Sequence, residues 1–175
     1  LMESRTSVRR ITCHLLEQGR TLPGFIGDIS YAQSNRERYE GFCQALADAG
    51  KKVDSSLCLT TPLGIDTYRE EIDTFLSSLS RMPDAFVCAS DYVACILMQL
   101  LEKRGLRVPE DVAVSGFDNN TEDLLAEHLT TVQVFNEELG ARLALQILYR
   151  IKYPNTPHEI TYLGTNVLYR DSTGD

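Results

Sequence analysis

Residues 105–119 read Gly-Leu-Arg-Val-Pro-Glu-Asp-Val-Ala-Val-Ser-Gly-Phe-Asp-Asn, and no other stretch narrows the fold as much. A helix closes at Gly105, a turn follows at Pro109, an apolar run crosses a core, and Asp118 stands where the run ends. This is one αβ unit carrying a carboxylate to the rim of a sheet. In open α/β sheets ligands lie outside the carboxyl ends of the strands, so Asp118 occupies a position where binding groups belong.

The remaining chain follows the same rhythm. Residues 7–18 place Val8, Ile11, Leu15 and Leu16 at helical spacing and stop at Gly19. Residues 23–28 form a short apolar run, with Pro23 suited to a strand start or edge. Ser34 with Glu37 predicts a capping box opening a helix with the stripe Tyr39, Phe42, Leu46 and Ala49. A weaker strand is expected over 53–59, then a helix capped by Asp66 or Thr67 that buries Tyr68, Ile72, Phe75, Leu76 and Leu79. Residues 85–89 are continuously apolar, as in a strand covered on both faces, and Ser90 caps a helix carrying Val93, Ile96, Leu97, Leu100 and Leu101.

After residue 119, residues 121–128 suggest a turn or two of helix and residues 129–134 an extended segment. Asn136 should cap a long helix with Leu139, Leu143, Ala144, Ile147, Leu148 and Ile151 on its apolar face and Gly140 admitting a close neighbour. A final strand is expected over 160–169. Alternation of this kind predicts an α/β fold, an open, mostly parallel sheet with helices on both faces. Such a sheet normally opens with a strand and this chain opens with a helix, so it reads as cut into a larger fold.

Composition removes several classes. With 43% hydrophobic and 24% charged residues over 175 positions the chain is globular. A net charge of −8 argues against a grip on nucleic acid by this segment itself, since phosphate binding needs clustered Lys and Arg. Five cysteines without C-x-x-C spacing, and no export signal or apolar span, predict reduced thiols in a cytoplasmic protein with no membrane contact.

The residues just past each expected strand are hydroxyls, carboxylates and amides: Ser34, Ser90, Asp91, Asp118 and Asn119, with Arg38 one helical turn after Ser34. Together they supply donors and acceptors that fix a polyol or similar polar ligand. Ser34, Ser90 and Asp118 also suit caps and turns, and Arg38 beside Glu37 and Glu40 suits a solvated face. No phosphate loop, nucleophile elbow or metal-like histidine set is present, and no catalytic residue, cofactor or metal is expected; His14, His128 and His158 are dispersed. Binding without chemistry is the simpler account, with a small α/β enzyme as a distant alternative.

These residues resemble LacI/GalR-type bacterial transcription regulators. The likeness lies in Ser34, Arg38 and Gly41-Phe42; in Ala89-Ser90-Asp91; in the run from Arg104 to Val112 followed by Gly116-Phe117-Asp118-Asn119; in Leu129-Thr130-Thr131-Val132; in Glu138-Leu139-Gly140; and in Leu168-Tyr169-Arg170-Asp171-Ser172-Thr173. It implies one lobe of a core like that of type I periplasmic binding proteins, binding a small-molecule effector, usually a sugar or nucleobase, in a cleft between lobes. Operator DNA would be bound only through an N-terminal segment absent from this sequence. Arg38, Ser90, Asp91, Asp118 and Ser34 fall on effector contacts, and Tyr68 or a near neighbour in 65–68 on a stacking aromatic.

The departures are Arg20 where Gly-His is usual, Thr21-Leu22-Pro23 at the strand entry, Ser90 for asparagine, and Val134-Phe135 where some members place a polar group. The resemblance further implies residues 1–134 as the C-terminal lobe, 135–153 as a helix belonging to the other lobe, and 154–175 as a closing strand and tail. It implies a homodimer, with Ile96, Met98, Leu101 and Asn119 as candidate interface residues. The helix over 136–152 should pack on a partner chain, fold back over this lobe or be poorly ordered, since exposing large apolar residues costs about 1.5–3 kcal/mol each. The alternative within the same fold is a sugar-binding protein of a transport system.

Overall fold

Strand alternation decides the architecture. In a computed structural model describing residues 1–64, 66–120 and 127–174, the elements are α1 (Arg5–Glu17), β1 (Pro23–Ile26), α2 (Gln33–Asp48), β2 (Cys58–Leu59), α3 (Tyr68–Ser78), β3 (Ala85–Cys88), α4 (Asp91–Lys103), β4 (Ala113–Ser115), β5 (Thr131–Gln133), α5 (Asn136–Lys152) and β6 (Asn166–Leu168). Four strands pair in parallel in the order β2-β1-β3-β4, with Phe25 level with Cys58 and Val87, and Val87 level with Ser115. Side chains alternate across each strand. Phe25, Ala85, Val87 and Ala113 therefore meet Val8, Ile11, Leu15 and Phe42 of α1 and α2, while Ile26, Phe86, Cys88 and Val114 meet Ile72, Leu76, Leu97 and Leu101 of α3 and α4. The doubly covered sheet expected from the sequence is present.

The pair α1 and α2 lies unusually close because residue 41 is glycine: a Cβ there would stand 2.2 Å from the Arg5 carbonyl oxygen. Beyond β4, single parallel bridges from Ser115 to Thr130 and from Asp118 to Gln133 lead into β5, which pairs antiparallel with β6. A 3-10 turn at Asp171–Thr173 then closes on the lobe: Ser172 Oγ donates to the Val114 carbonyl at 2.6 Å and accepts from Thr130 N at 2.8 Å.

Several boundaries differ from expectation. Residues 53–59 are mostly not strand: the Asp54 carboxylate accepts from Ser56 N at 3.0 Å and Ser56 Oγ at 2.6 Å, bending Ser55–Leu57 into a 3-10 turn that leaves two residues to pair. The capping box at Ser34 is absent, because α2 starts at Gln33 with Ala32 in the cap position. Glu37 instead accepts from Gln33 Nε2 at 3.3 Å and from Tyr162 Oη at 3.0 Å. Asn136 is the first residue of α5 rather than its cap, and Gly140 has open space beside it. Residues 121–126 lie outside the described residues, so the helical turn expected there does too.

The closing strand spans only Asn166–Leu168. Upstream of it Leu163 instead bridges Met2, with Glu3 N donating to the Leu163 carbonyl at 2.8 Å and Leu163 N to the Leu1 carbonyl at 2.8 Å. The helix α5 does not fold back over the lobe; none of its residues is buried, and Leu148 and Ile151 are 63% and 72% exposed.

Candidate functional site

Parallel strands deliver their last residues to one edge, and here that edge holds Asp28 after β1, Ser90 after β3 and Asp118 after β4, with Arg38 rising from α2. Arg38 is buried, its side chain only 10% exposed. One terminal nitrogen donates to the Ala89 carbonyl, the other to Asp118 Oδ1 at 3.2 Å, and the guanidinium carbon sits 3.7 Å from the centre of the Phe117 ring. Its Nε is buried with no partner. Asp118 is 42% exposed at its side chain, and its backbone takes a left-handed φ of 111°.

Burial pulls the Arg38 guanidinium below its ordinary pKa, with Asp118 the main opposing influence. Burial likewise raises the Asp118 carboxyl; Arg38 opposes this and Asp91 adds to it. Burial works against the charged form of each partner, and their mutual attraction works for it. A half-exposed carboxylate, under-compensated beside a clamped guanidinium, gains from any ligand that donates hydrogen bonds to it. Its exposed oxygen can accept hydrogen bonds from hydroxyl or amino groups.

The other expected contacts divide. Asp91 is corrected from ligand contact to scaffold: it is 2% exposed, and its oxygens accept from Thr131 Oγ1 at 2.6 Å and Asn120 N at 2.8 Å. A Cβ at Gly116 would lie 2.2 Å from Asp91 Oδ1, so glycine is required for that carboxylate to enter. Burial, the largest influence, raises the Asp91 pKa despite those bonds. Ser90 acts as the cap it resembles, its Oγ accepting from Val93 N at 3.3 Å. Ser34 lies half-buried in the first turn of α2.

Tyr68 opens α3 with its ring edge-on to Tyr92, centroids 5.8 Å apart. Burial raises its phenol, followed by the influence of Asp28, Tyr31 and Tyr92. Tyr31 and Tyr92, 73% and 58% exposed, thus extend an aromatic rim around Tyr68 that sequence reasoning missed. So were the Ala89 carbonyl and the Phe117 ring as holders of Arg38, although Phe117 stands beside Asp118 in the sequence. Burial works to raise Asp28, but bonds from Ser30, Leu63 and Tyr31 outweigh it and leave it lowered; it ties the loops after β1 and β2 together.

Two of the candidate interface residues lie inside the lobe: Leu101 is wholly buried and Ile96 nearly so, both in the α3/α4 core. Asn119 has its amide bonded within the lobe, to Gln133 at 2.7 Å and Arg170 at 2.8 Å. Met98 and Asn119 are partly exposed, Met98 beside Glu102, Leu106 and Val108. Among the described residues no His, Cys, Asp and Glu cluster could hold a metal, no cysteine is in a disulfide, and no helix is long and apolar enough to cross a membrane.

Residues 12–173 match the family model described as a periplasmic binding protein-like domain. The regulator DegA of Bacillus subtilis is 35% identical over 130 residues, covering 73% of this chain and 38% of that protein. CelR of Thermobifida fusca is 32% identical over 170 residues, 94% of this chain and 48% of that one, and the HTH-type transcriptional repressor PurR of Photobacterium profundum 28% identical over 166 residues, 94% and 49%. The chain thus spans half or less of the length of these relatives. A solved structure of CelR with cellobiose superposes with a TM-score of 0.87 at 28% identity, covering 98% of this chain and 52% of that one. A LacI-family regulator from Sanguibacter keddieii gives 0.82 at 27% identity, over 99% and 66%. These relatives are regulators of transcription. The chain belongs to the periplasmic binding protein-like domain family, in the form carried by LacI-family transcription regulators.

Proposed function

We propose that this chain is the effector-binding lobe of a bacterial transcription regulator, with Arg38 and Asp118 as its central ligand contacts. The observation that carries this reading is the pair itself: a buried guanidinium and a half-exposed carboxylate, both disfavoured by burial, at the strand-end rim. Hydroxyl donors supply what Asp118 lacks, and the tyrosines offer apolar faces to a sugar ring, so the proposed effector is a sugar or sugar derivative. Cellobiose in the CelR structure supports that class.

The other wall of the cleft would come from a second lobe, to which 135–153 contributes α5, while 1–134 and 154–175 form this one. Effector would favour one relative arrangement of the lobes through its differential affinity, shifting operator binding through a separate DNA-binding segment. Such a regulator works in the cytoplasm as a homodimer, matching paired operator half-sites. Met98 and Asn119 are the interface candidates that keep a surface.

Calorimetry of the full-length protein against a panel of sugars, cellobiose included, tests the reading. Arg38→Ala and Asp118→Ala should each weaken the best ligand roughly 10- to 100-fold, the scale of a charge-assisted hydrogen bond. Unchanged affinity in both variants ends the assignment.

A further inference from the structure

The Asp118 carboxylate does not reach Arg38 through ordinary strand geometry. Two consecutive non-glycine residues, Asp118 with φ 111° and Asn119 with φ 52°, take left-handed backbone, a conformation that L residues hold only when their surroundings fix it. The surroundings are specific. Asp118 N donates to the Val132 carbonyl at 3.1 Å and Asn119 N to Thr131 Oγ1 at 3.2 Å, locking the backbone onto β5. The Asn119 amide then bridges two side chains, donating to Gln133 Oε1 at 2.7 Å and accepting from Arg170 Nη2 at 2.8 Å. Arg170 is itself anchored, its Nη1 donating to the Leu129 carbonyl at 3.0 Å and its backbone N to Thr130 Oγ1 at 2.7 Å.

We propose that Asn119, clamped between Arg170 and Gln133, is the positioning residue that sets Asp118 against Arg38, so that a residue of the closing segment governs recognition at the rim. The inference rests on Asp118 being a ligand contact. Arg170 suits the task because a planar guanidinium holds the Asn119 oxygen and the Leu129 carbonyl at once, which a lysine ammonium does not reproduce. Asn119 suits it because asparagine tolerates the left-handed region while its amide offers both a donor and an acceptor.

The test reads the carboxylate directly and needs no ligand, so it stands apart from the calorimetry. In the full chain with carbonyl-13C aspartate, the Asp118 signal, assigned through Asp118→Asn, is followed against pH. In the unaltered protein its midpoint should lie above the ordinary aspartate value, since burial dominates there. Arg170→Lys and Asn119→Ala should let the carboxylate swing into water, lowering the midpoint toward that value and shifting the Arg38 Nε–H resonance. Asn119→Gly keeps the left-handed backbone accessible but has no amide, and should behave like Asn119→Ala. An Asp118 midpoint unchanged in Arg170→Lys, or restored by Asn119→Gly, overturns the proposal. If Asn119→Ala fails to fold, Arg170→Lys, which retains the charge and most of the packing, decides alone.

Discussion

Asp111 and Asp118 are carboxylates shifted in opposite directions, and the pH dependence of stability follows from each. Asp111, paired with Arg107 at 3.0 Å, is held down to about 2 by the hydrogen bonds of that residue. An acid with a depressed folded pKa contributes stability above its unfolded value of 3.8 and loses it as pH falls toward the folded one. Asp118, raised by burial, works the other way: the folded state holds its proton longer, so its contribution falls as pH climbs from 3.8 through the raised value. Denaturant titrations at a series of pH values should show Asp111→Asn flattening the acid limb and Asp118→Asn flattening the decline above it; a limb unchanged by its variant refutes that assignment. Asp118 is nominated by its strand-end position and Arg38 by its place one helical turn after Ser34, and the fold brings the two within hydrogen-bond distance. Asp91 was misread because its burial depends on Gly116 and Thr131, contacts fixed only by the folded sheet.

Among the elements, helical spacing and unbroken apolar runs located α1, α3, α4, β1, β3 and β4, since periodicity reports burial directly. The failures fell where a side chain competes with the backbone. Asp54 bends what hydropathy alone reads as strand, and α2 begins one residue before the serine that a capping rule would choose. The Gly-Phe pair at 41–42 was legible only as a motif; the structure supplies its cause in the approach of α1. Gly41→Ala should lower unfolding stability by about 1–3 kcal/mol, because backbone must shift to admit the methyl group. Chemical denaturation measures this, and an unchanged midpoint means that α1 moves aside without strain.

For the whole molecule, the uncovered helix α5 marks a boundary. Its Leu143, Ile147 and Ile151 recur every fourth position, and all are more than half exposed, which predicts a covering surface elsewhere in the full-length protein. Hydrogen exchange should find α5 amides strongly protected in the full-length regulator and fast in the 175-residue chain alone. Equal rates in the two would mean that α5 is no part of a second lobe.

The closing turn bears on the order in which the lobe assembles. Ser172 bonds to Val114, 58 positions earlier, and Thr130 Oγ1 accepts from Arg170 N, 40 positions away. During synthesis the parallel strands emerge well before the residues that staple the edge of β4. The bridges to Thr130 and Gln133 can form first and the bond from Ser172 only after them, so sealing that edge is a late event governed by loop closure. Chaperone contact would be concentrated in that interval, at the same edge that ends in Asp118.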